Sequence, residues 1–321
     1  MQKILNITTQ VKYIELKTPF ITALRRVENI ELVRVSIECE DGSVGIGEAP
    51  STFAITGETI ETIVESINKA KIYLTGLSLE EALTELHQLP IGSSAKASLD
   101  MAILSLQGFF VLSDRKSVQT DITISLNEAP IMLDDAKKAL NKGMDILKVK
   151  LGSNIDHAIE VTNLLSKELP QAKLLIDANQ AWSLEESLEY INAVKDLRLE
   201  LIEQPVKAQD LSALQTITNA TDIPILADEA AFSLEDVQKI VENNYADMIN
   251  IKLMKCGGIT KAVEILEYAR EKKVKCMLGS MLEGPVSINA AESLAMAYND
   301  VIEYVDLDSP LLYKNREDAL V

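Results

Sequence analysis

Charged residues recur at the ends of short apolar runs from residue 148 onward. They are Lys148 and Lys150 in ILKVK, Asp177 with Asn179 after KLLI, Glu203 closing ELIE, Asp228 and Glu229 after PILA, and Lys252 in MINIK. From Lys150 the successive intervals are 27, 26, 25 and 24 residues, one strand-plus-helix unit each. A solvated charge at a loop start accounts for any one member. It accounts poorly for five in succession, because each sits beside a buried-type apolar strand.

The residue types suggest a chemistry. Asp177, Glu203 and Asp228 are three hard oxygen donors on neighbouring strands, a set that suits Mg²⁺. Zinc fits less well, since no His or Cys falls at these ends and His87 and His157 lie in helical stretches. Lys148 and Lys150 alternate along one strand and so share a face. A neighbouring like charge lowers an ammonium's pKa, which favours Lys150 as a base near neutrality. Lys252 arrives from the far side of the ring. One lysine on each side of a metal can take a proton from one face of a carbon and return it to the other, while the metal stabilises the charge that develops. A further pair, Asp306 and Asp308 in YVDLDSP, points one way if it ends a strand. Two like charges side by side call for a positive partner or water. For Asp308, a turn before Ser309-Pro310 is the simpler alternative.

These residues need a scaffold. Eight apolar runs (122–126, 146–150, 173–177, 200–203, 224–227, 248–252, 275–279 and 302–306) alternate with seven helical periods. In one of these periods, Ile155, Ile159, Thr162, Leu165 and Leu169 recur at helical spacing and Pro170 marks the stop. The pattern predicts an α/β fold, a (β/α)7β modified TIM barrel over residues 119–321, with its charges at the carboxyl ends of the strands. Residues 1–118 read as an α+β capping domain. There IELVRVSIECEDGSVGIGEA is a hairpin turning at Asp-Gly, followed by helices near 58–75 and 93–110.

Composition narrows the partners. The 321 residues carry a net charge of −18, which argues against nucleic acid or an anionic membrane surface. There is no signal-peptide pattern and no apolar run long enough to span a membrane. Cys39, Cys256 and Cys276 have no metal or redox spacing, so a cytoplasmic setting is expected. The assembly state, a homo-oligomer included, is left open.

The motifs KVK (148–150), DANQAW (177–182), EQP (203–205), ADE (227–229) and NIKLMKCGGI (250–259), with GSVGIGEAP (42–50) in the first domain, resemble the enolase superfamily and its muconate-lactonising-type subgroup. Sites of that superfamily pair a Lys or His base with Mg²⁺. The resemblance implies Asp177, Glu203 and Asp228 as Mg²⁺ ligands and Lys150 and Lys252 as the acid/base pair. Lys148 would support Lys150, and Glu229 would stand behind the ligands; Asn179 would either join Glu229 there or shape the turn. The paired aspartates resemble those with which dipeptide epimerases hold the substrate's α-ammonium group, so a dipeptide is the implied substrate. TPFITALRRV (18–27) and STFAITGET (51–59) match the family's two capping loops. Arg25 resembles a position that pairs with a glutamate side chain in Ala-Glu epimerases. After strand seven, GSMLE (279–283) is expected to line the pocket, with Ser280 a substrate contact. Trp182 is expected at the barrel rim, and Cys256 as structural beside Gly257 and Gly258. Family members continue past the eighth strand with a segment that returns to the capping domain. Here the sequence ends at LLYKNREDALV, so that segment is expected either to be shorter or to lie outside the given sequence. N-acylamino acid racemase, o-succinylbenzoate synthase, cycloisomerase and a non-catalytic binding barrel remain alternative readings.

Overall fold

The computed structural model describes residues 2–23, 26–109 and 118–319. Arg25 and the stretch preceding the expected domain junction at 118/119 fall outside them. The first part opens with β1 (Ile4–Ile21), β2 (Arg26–Cys39) and β3 (Val44–Pro50), an antiparallel sheet in that order. The β2–β3 hairpin turns where Asp-Gly requires it: Gly42 has φ +82° and the Ser43 N–H donates to Asp41 Oδ1. Helices α1 (Phe53–Thr56), α2 (Ile60–Leu74), α3 (Leu79–Gln88) and α4 (Ser93–Leu106) follow. The third holds His87, in a stretch already read as helical. It begins at a capping box, Ser78 with Glu81, that marks its N-terminus clearly.

The second part is the expected barrel sheet. Its strands are β4 (Ile122–Ile124), β5 (Ile146–Lys150), β6 (Lys173–Asp177), β7 (Leu201–Glu203), β8 (Ile225–Ala227), β9 (Met248–Lys252), β10 (Lys275–Gly279) and β11 (Ile302–Asp306). They pair in sequence order, and every pair is parallel. The intervening helices are α5 (Ala129–Leu140), α6 (Ile155–Glu168), α7 (Leu184–Val194), α8 (Leu211–Thr218), α9 (Leu234–Glu242), the single turn α10 (Leu253–Cys256), α11 (Ile259–Lys272) and α12 (Pro285–Ala297). A last short turn, α13 (Ser309–Leu312), follows β11. The ring closes where the Asp121 N–H donates to the Val305 carbonyl at 2.9 Å. Leu175, Leu201, Leu226, Met248 and Met277 fill the barrel interior below the charged layer. Among the described residues no helix is long and apolar enough to cross a membrane.

Buried carboxylates lock the first part onto the barrel. Asp100 on α4 is fully buried, and its Oδ2 accepts the N–H groups of Ile259 and Thr260 at 2.7 and 3.2 Å. It thereby satisfies two of the orphan donors at the start of α11. Gly258 makes this approach possible: its φ is +120°, and a Cβ there would fall 2.5 Å from Asp100 Oδ2. The second glycine of KCGG thus serves the domain contact, while Gly257, at φ +93°, caps the turn before it. Glu48 on β3 acts similarly, receiving Arg34 on Oε1 and the Val286 N–H of α12 on Oε2 at 2.9 Å.

The tail reaches back to the first sheet. Tyr313 bridges Leu16, the Lys314 N–H donates to the Glu15 carbonyl, and Tyr313 packs with Ile14, Leu16, Ile30, Leu32 and Leu282. These contacts form because β1 lies beside the exit of β11. Asp100→Ala, which leaves two buried N–H groups unmatched, is expected to lower unfolding free energy by about 1.5–3 kcal/mol in urea titration.

Candidate active site

The strand ends deliver their polar side chains to one place because β5 to β9 run in parallel register. Lys150 pairs across from Asp177, and Asp177 across from Glu203. The strands then buckle. Asn179, Gln180 and Gln204 take φ values of +45°, +64° and +36°, left-handed positions costly for residues with a Cβ. They are held there by the Gln180 N–H to the Gln204 carbonyl and by Gln204 Oε1, which accepts the N–H groups of Asp228 and Ala230. One amide therefore fixes the loop that carries Asp228 and Glu229.

Charges alternate around the mouth. Lys148, buried completely, reaches Asp306 Oδ2 at 2.6 Å, Glu203 Oε2 at 2.7 Å and Asp177 Oδ2 at 3.4 Å. Lys150 Nζ lies 2.5 Å from Asp177 Oδ2, and Lys252 Nζ lies 2.6 Å from Asp228 Oδ2. Lys255 holds the other Asp228 oxygen at 2.6 Å and the Asn250 carbonyl at 2.8 Å, while Asn250 Nδ2 donates to Glu203 Oε1. Burial would lower the Lys148 ammonium, yet Asp306, Glu203 and Asp177 hold it well above its usual range. Lys252 is likewise raised, by Asp228 against its own burial. Burial opposes ionisation of Asp177 and Asp228, but their lysines keep both below the ordinary carboxylate range. Glu203 and Glu229 go the other way. Burial first, then Asp177 for the one and Asp228 for the other, pushes them to about 7 and about 8. Both Glu229 oxygens and Asn179 Oδ1 are buried without a hydrogen-bond partner.

On the far side, Asp306 and Asp308 lie at the seam between the first and last barrel strands. Asp308 Oδ2 accepts the Thr123 N–H at 2.7 Å. Burial and Asp306 raise the Asp308 carboxyl to about 6, whereas Lys148 and Lys150 hold Asp306 low despite its burial. A single cleft is lined by Lys150, Asn179, Asp228, Glu229, Lys252, Ser280, Asp306 and Asp308. Phe20 and Thr22 from the end of β1, and Ala54 and Ile55 from α1, cover it. Both expected capping segments therefore lie over the cleft.

Residues 132–320 match the family model described as "Enolase C-terminal domain-like", and residues 5–110 match "Mandelate racemase / muconate lactonizing enzyme, N-terminal domain". The chain belongs to the enolase superfamily. The L-amino acid-D/L-Glu epimerase of Sulfurimonas denitrificans is 57% identical, over 99% of this chain and 96% of that protein. The L-Ala-D/L-Glu epimerase of Bacillus subtilis, solved as a substrate-liganded complex, superposes with TM-score 0.91 at 37% identity, covering 98% of this chain and 92% of that one. A dipeptide epimerase from Enterococcus faecalis, complexed with Mg and L-Leu-L-Tyr, gives TM-score 0.91 at 33% identity over the same shares.

Within this enolase-superfamily site most of the residues singled out from sequence lie together, but one placement differs. Glu283 does not line the cleft: it is buried, accepts the Met281 N–H and is raised to about 7 by that burial. Ser280 does line it, with its hydroxyl donating to the Asp306 carbonyl at 3.2 Å. Trp182 is buried, its indole N–H bonded to the Gly152 carbonyl and its ring against Tyr190. Arg26 forms an exposed pair with Glu28. Lys255, Asn250, Gln204 and Asp121 were missed. Lys255 follows Lys252 by three, so the helical turn after β9 could have revealed it. Nothing in the sequence distinguishes the other three. Lys255→Met leaves a buried Asp228 oxygen without its cation, and a loss of about 3–5 kcal/mol is expected in chemical denaturation.

Proposed function

We propose that this protein is a dipeptide epimerase that moves a proton at the α-carbon of the C-terminal residue between two opposed lysines, with Mg²⁺ as cofactor. The observation that carries the reading is the shared cleft: Lys150 on β5 and Lys252 on β9, four strands apart in an eight-strand ring, flank a space that Asp306 and Asp308 close at one end. The names of the similar proteins point the same way.

Asp177, Glu203 and Asp228 would hold the cation. The donors are all oxygen, which suits Mg²⁺. Their fit is supported by two glutamates raised to about 7 and about 8 and by the unpartnered Glu229 and Asn179 oxygens, all of which a nearby divalent charge would relieve. When bound, the cation supplies positive charge for the carboxylate next to the reacting carbon. The remaining steps belong to the chain's own residues. One lysine, neutral, takes the α-proton and becomes an ammonium, while the C–H electron pair delocalises into the adjacent carboxylate. The other lysine, as ammonium, returns a proton to the opposite face and becomes neutral. Phe20, 6.0 Å from Lys150 Nζ, and the covering loops exclude water from the exchange. Asp306 and Asp308 accept the substrate's α-ammonium group, which an N-acyl amino acid lacks; this favours a dipeptide over an N-acylamino acid racemase substrate. The three free cysteines suit a reducing cytoplasm.

Incubation with dipeptides and Mg²⁺ in D₂O is expected to place deuterium at the C-terminal α-carbon, read by mass spectrometry across a dipeptide library. Lys252→Ala should lose at least about 10³-fold in kcat while still binding dipeptide. The absence of α-exchange with every dipeptide would sink the assignment. Because Glu203 and Glu229 retain protons near neutrality, Mg²⁺ binding at pH 7 should release protons, and affinity should fall as pH drops below about 7. Calorimetry in two buffers of different ionisation enthalpy measures that release.

A further inference from the structure

Asp121 lies just before β4, at the closure of the ring, and the reaction described above does not use it. Its backbone N–H closes the seam to Val305, but its side chain is 1% exposed and neither carboxylate oxygen has a hydrogen-bond partner. A buried carboxylate without a partner is costly and needs a reason. Its surroundings supply one: oxygens of Asp121, Asp306 and Asp308 all lie within 4.8 Å of one another.

We propose that Asp121 is the floor of a three-carboxylate cage for a primary ammonium group, and therefore a residue that sets specificity for substrates with a free α-amine. The proposal rests on reading the site as one for dipeptides. An ammonium carries three N–H donors. Asp306 already commits Oδ2 to Lys148, and Asp308 commits Oδ2 to the Thr123 N–H. Asp121 brings the third acceptor, a carboxyl that no lysine contacts and that a bound ammonium would favour as the carboxylate. Three atoms no more than 4.8 Å apart share a point within about 2.8 Å of each, which is the length of a charge-assisted N–H···O bond. Lys148 and Lys150, which both act on these aspartates, would also repel a divalent cation more than a monovalent one. Burial and the charges of Asp306 and Asp308 push the Asp121 carboxyl well above its ordinary range, as expected of an acid awaiting a cation.

The test compares L-Ala-L-Glu with propanoyl-L-glutamate, which replaces the ammonium by hydrogen. Asp121→Asn is expected to raise KM for L-Ala-L-Glu about 10- to 100-fold with kcat changed less than about threefold, and to leave KM for propanoyl-L-glutamate unaltered. The Tm of Asp121→Asn should equal or exceed that of the wild type, because a buried acid crowded against Asp306 and Asp308 has been replaced by a neutral group; Asp121→Ser provides a second variant for the same comparison. Equal effects on both substrates, or none, would overturn the cage. So would a variant that melts well below the wild type or fails to fold, since the carboxylate would then be holding the structure together. A fall in Mn²⁺ stoichiometry from two ions to one in Asp121→Asn would show a metal site instead, and also overturn it. Failure of the wild type to exchange any dipeptide's α-proton would remove the functional reading together with the cage. Wild-type turnover with an unchanged KM in Asp121→Asn would remove the cage alone.

Discussion

The ammonium of Lys148, fully buried, hydrogen-bonded to Asp306 and ion-paired with Glu203, with Asp177 at 3.4 Å, is the contact on which the arrangement of the site depends. Three carboxylates from β6, β7 and β11 could not lie so near one another in a dry barrel without a cation among them. Lys148 provides that cation permanently. It separates the proposed metal ligands from the proposed ammonium pocket while joining both electrostatically, and it leaves Lys150, two residues on, to face the cleft. The order Asp306, Lys148, Glu203 is thus a charge relay in space rather than in sequence. Removing Lys148 would disturb both halves of the site at once.

A second constraint concerns the covering part. The cleft is roofed by the end of β1 and by α1, and these must sit at a fixed distance from the barrel mouth. Asp100 and Glu48 accomplish this by capping α11 and α12, barrel helices, with side chains from α4 and β3. The short tail adds a further strap through Tyr313 against Leu16 and Leu282. Each attachment satisfies backbone donors or buries apolar surface, so the roof is anchored away from the segments that touch the cleft. Those segments can then differ in sequence without loosening the barrel.

Much of this was legible in the order of residues. Strand-and-helix alternation follows from hydrophobic period, and the intervals between charged strand ends mark one unit each. The charged ladder therefore identified the barrel and most of its mouth, down to Lys150, Asp177, Glu203, Asp228 and Lys252. The illegible residues share a physical feature: their partners are distant in sequence. Gln204 acts on Asp228 and Ala230, Asn250 on Glu203, and Asp121 meets Asp306 only across the ring closure. A residue whose role is made by closure has no local periodicity to announce it. Glu283 failed in the opposite sense, since its position after β10 suggested the cleft but its side chain turns back to the Met281 N–H.

The sequence by itself determined which strands form, in what order they pair, and which side chains stand at their carboxyl ends, because those depend on local period and on a parallel register. Only the tertiary structure decided what the paired aspartates of YVDLDSP face. Their partners are Lys148 for Asp306 and the Thr123 N–H for Asp308, with the unpartnered Asp121 carboxylate close by. Those contacts arise when the barrel ring closes, bringing Lys148 and Thr123 to residues 158 and 185 positions further along at the cost of loop entropy, and no short stretch encodes them.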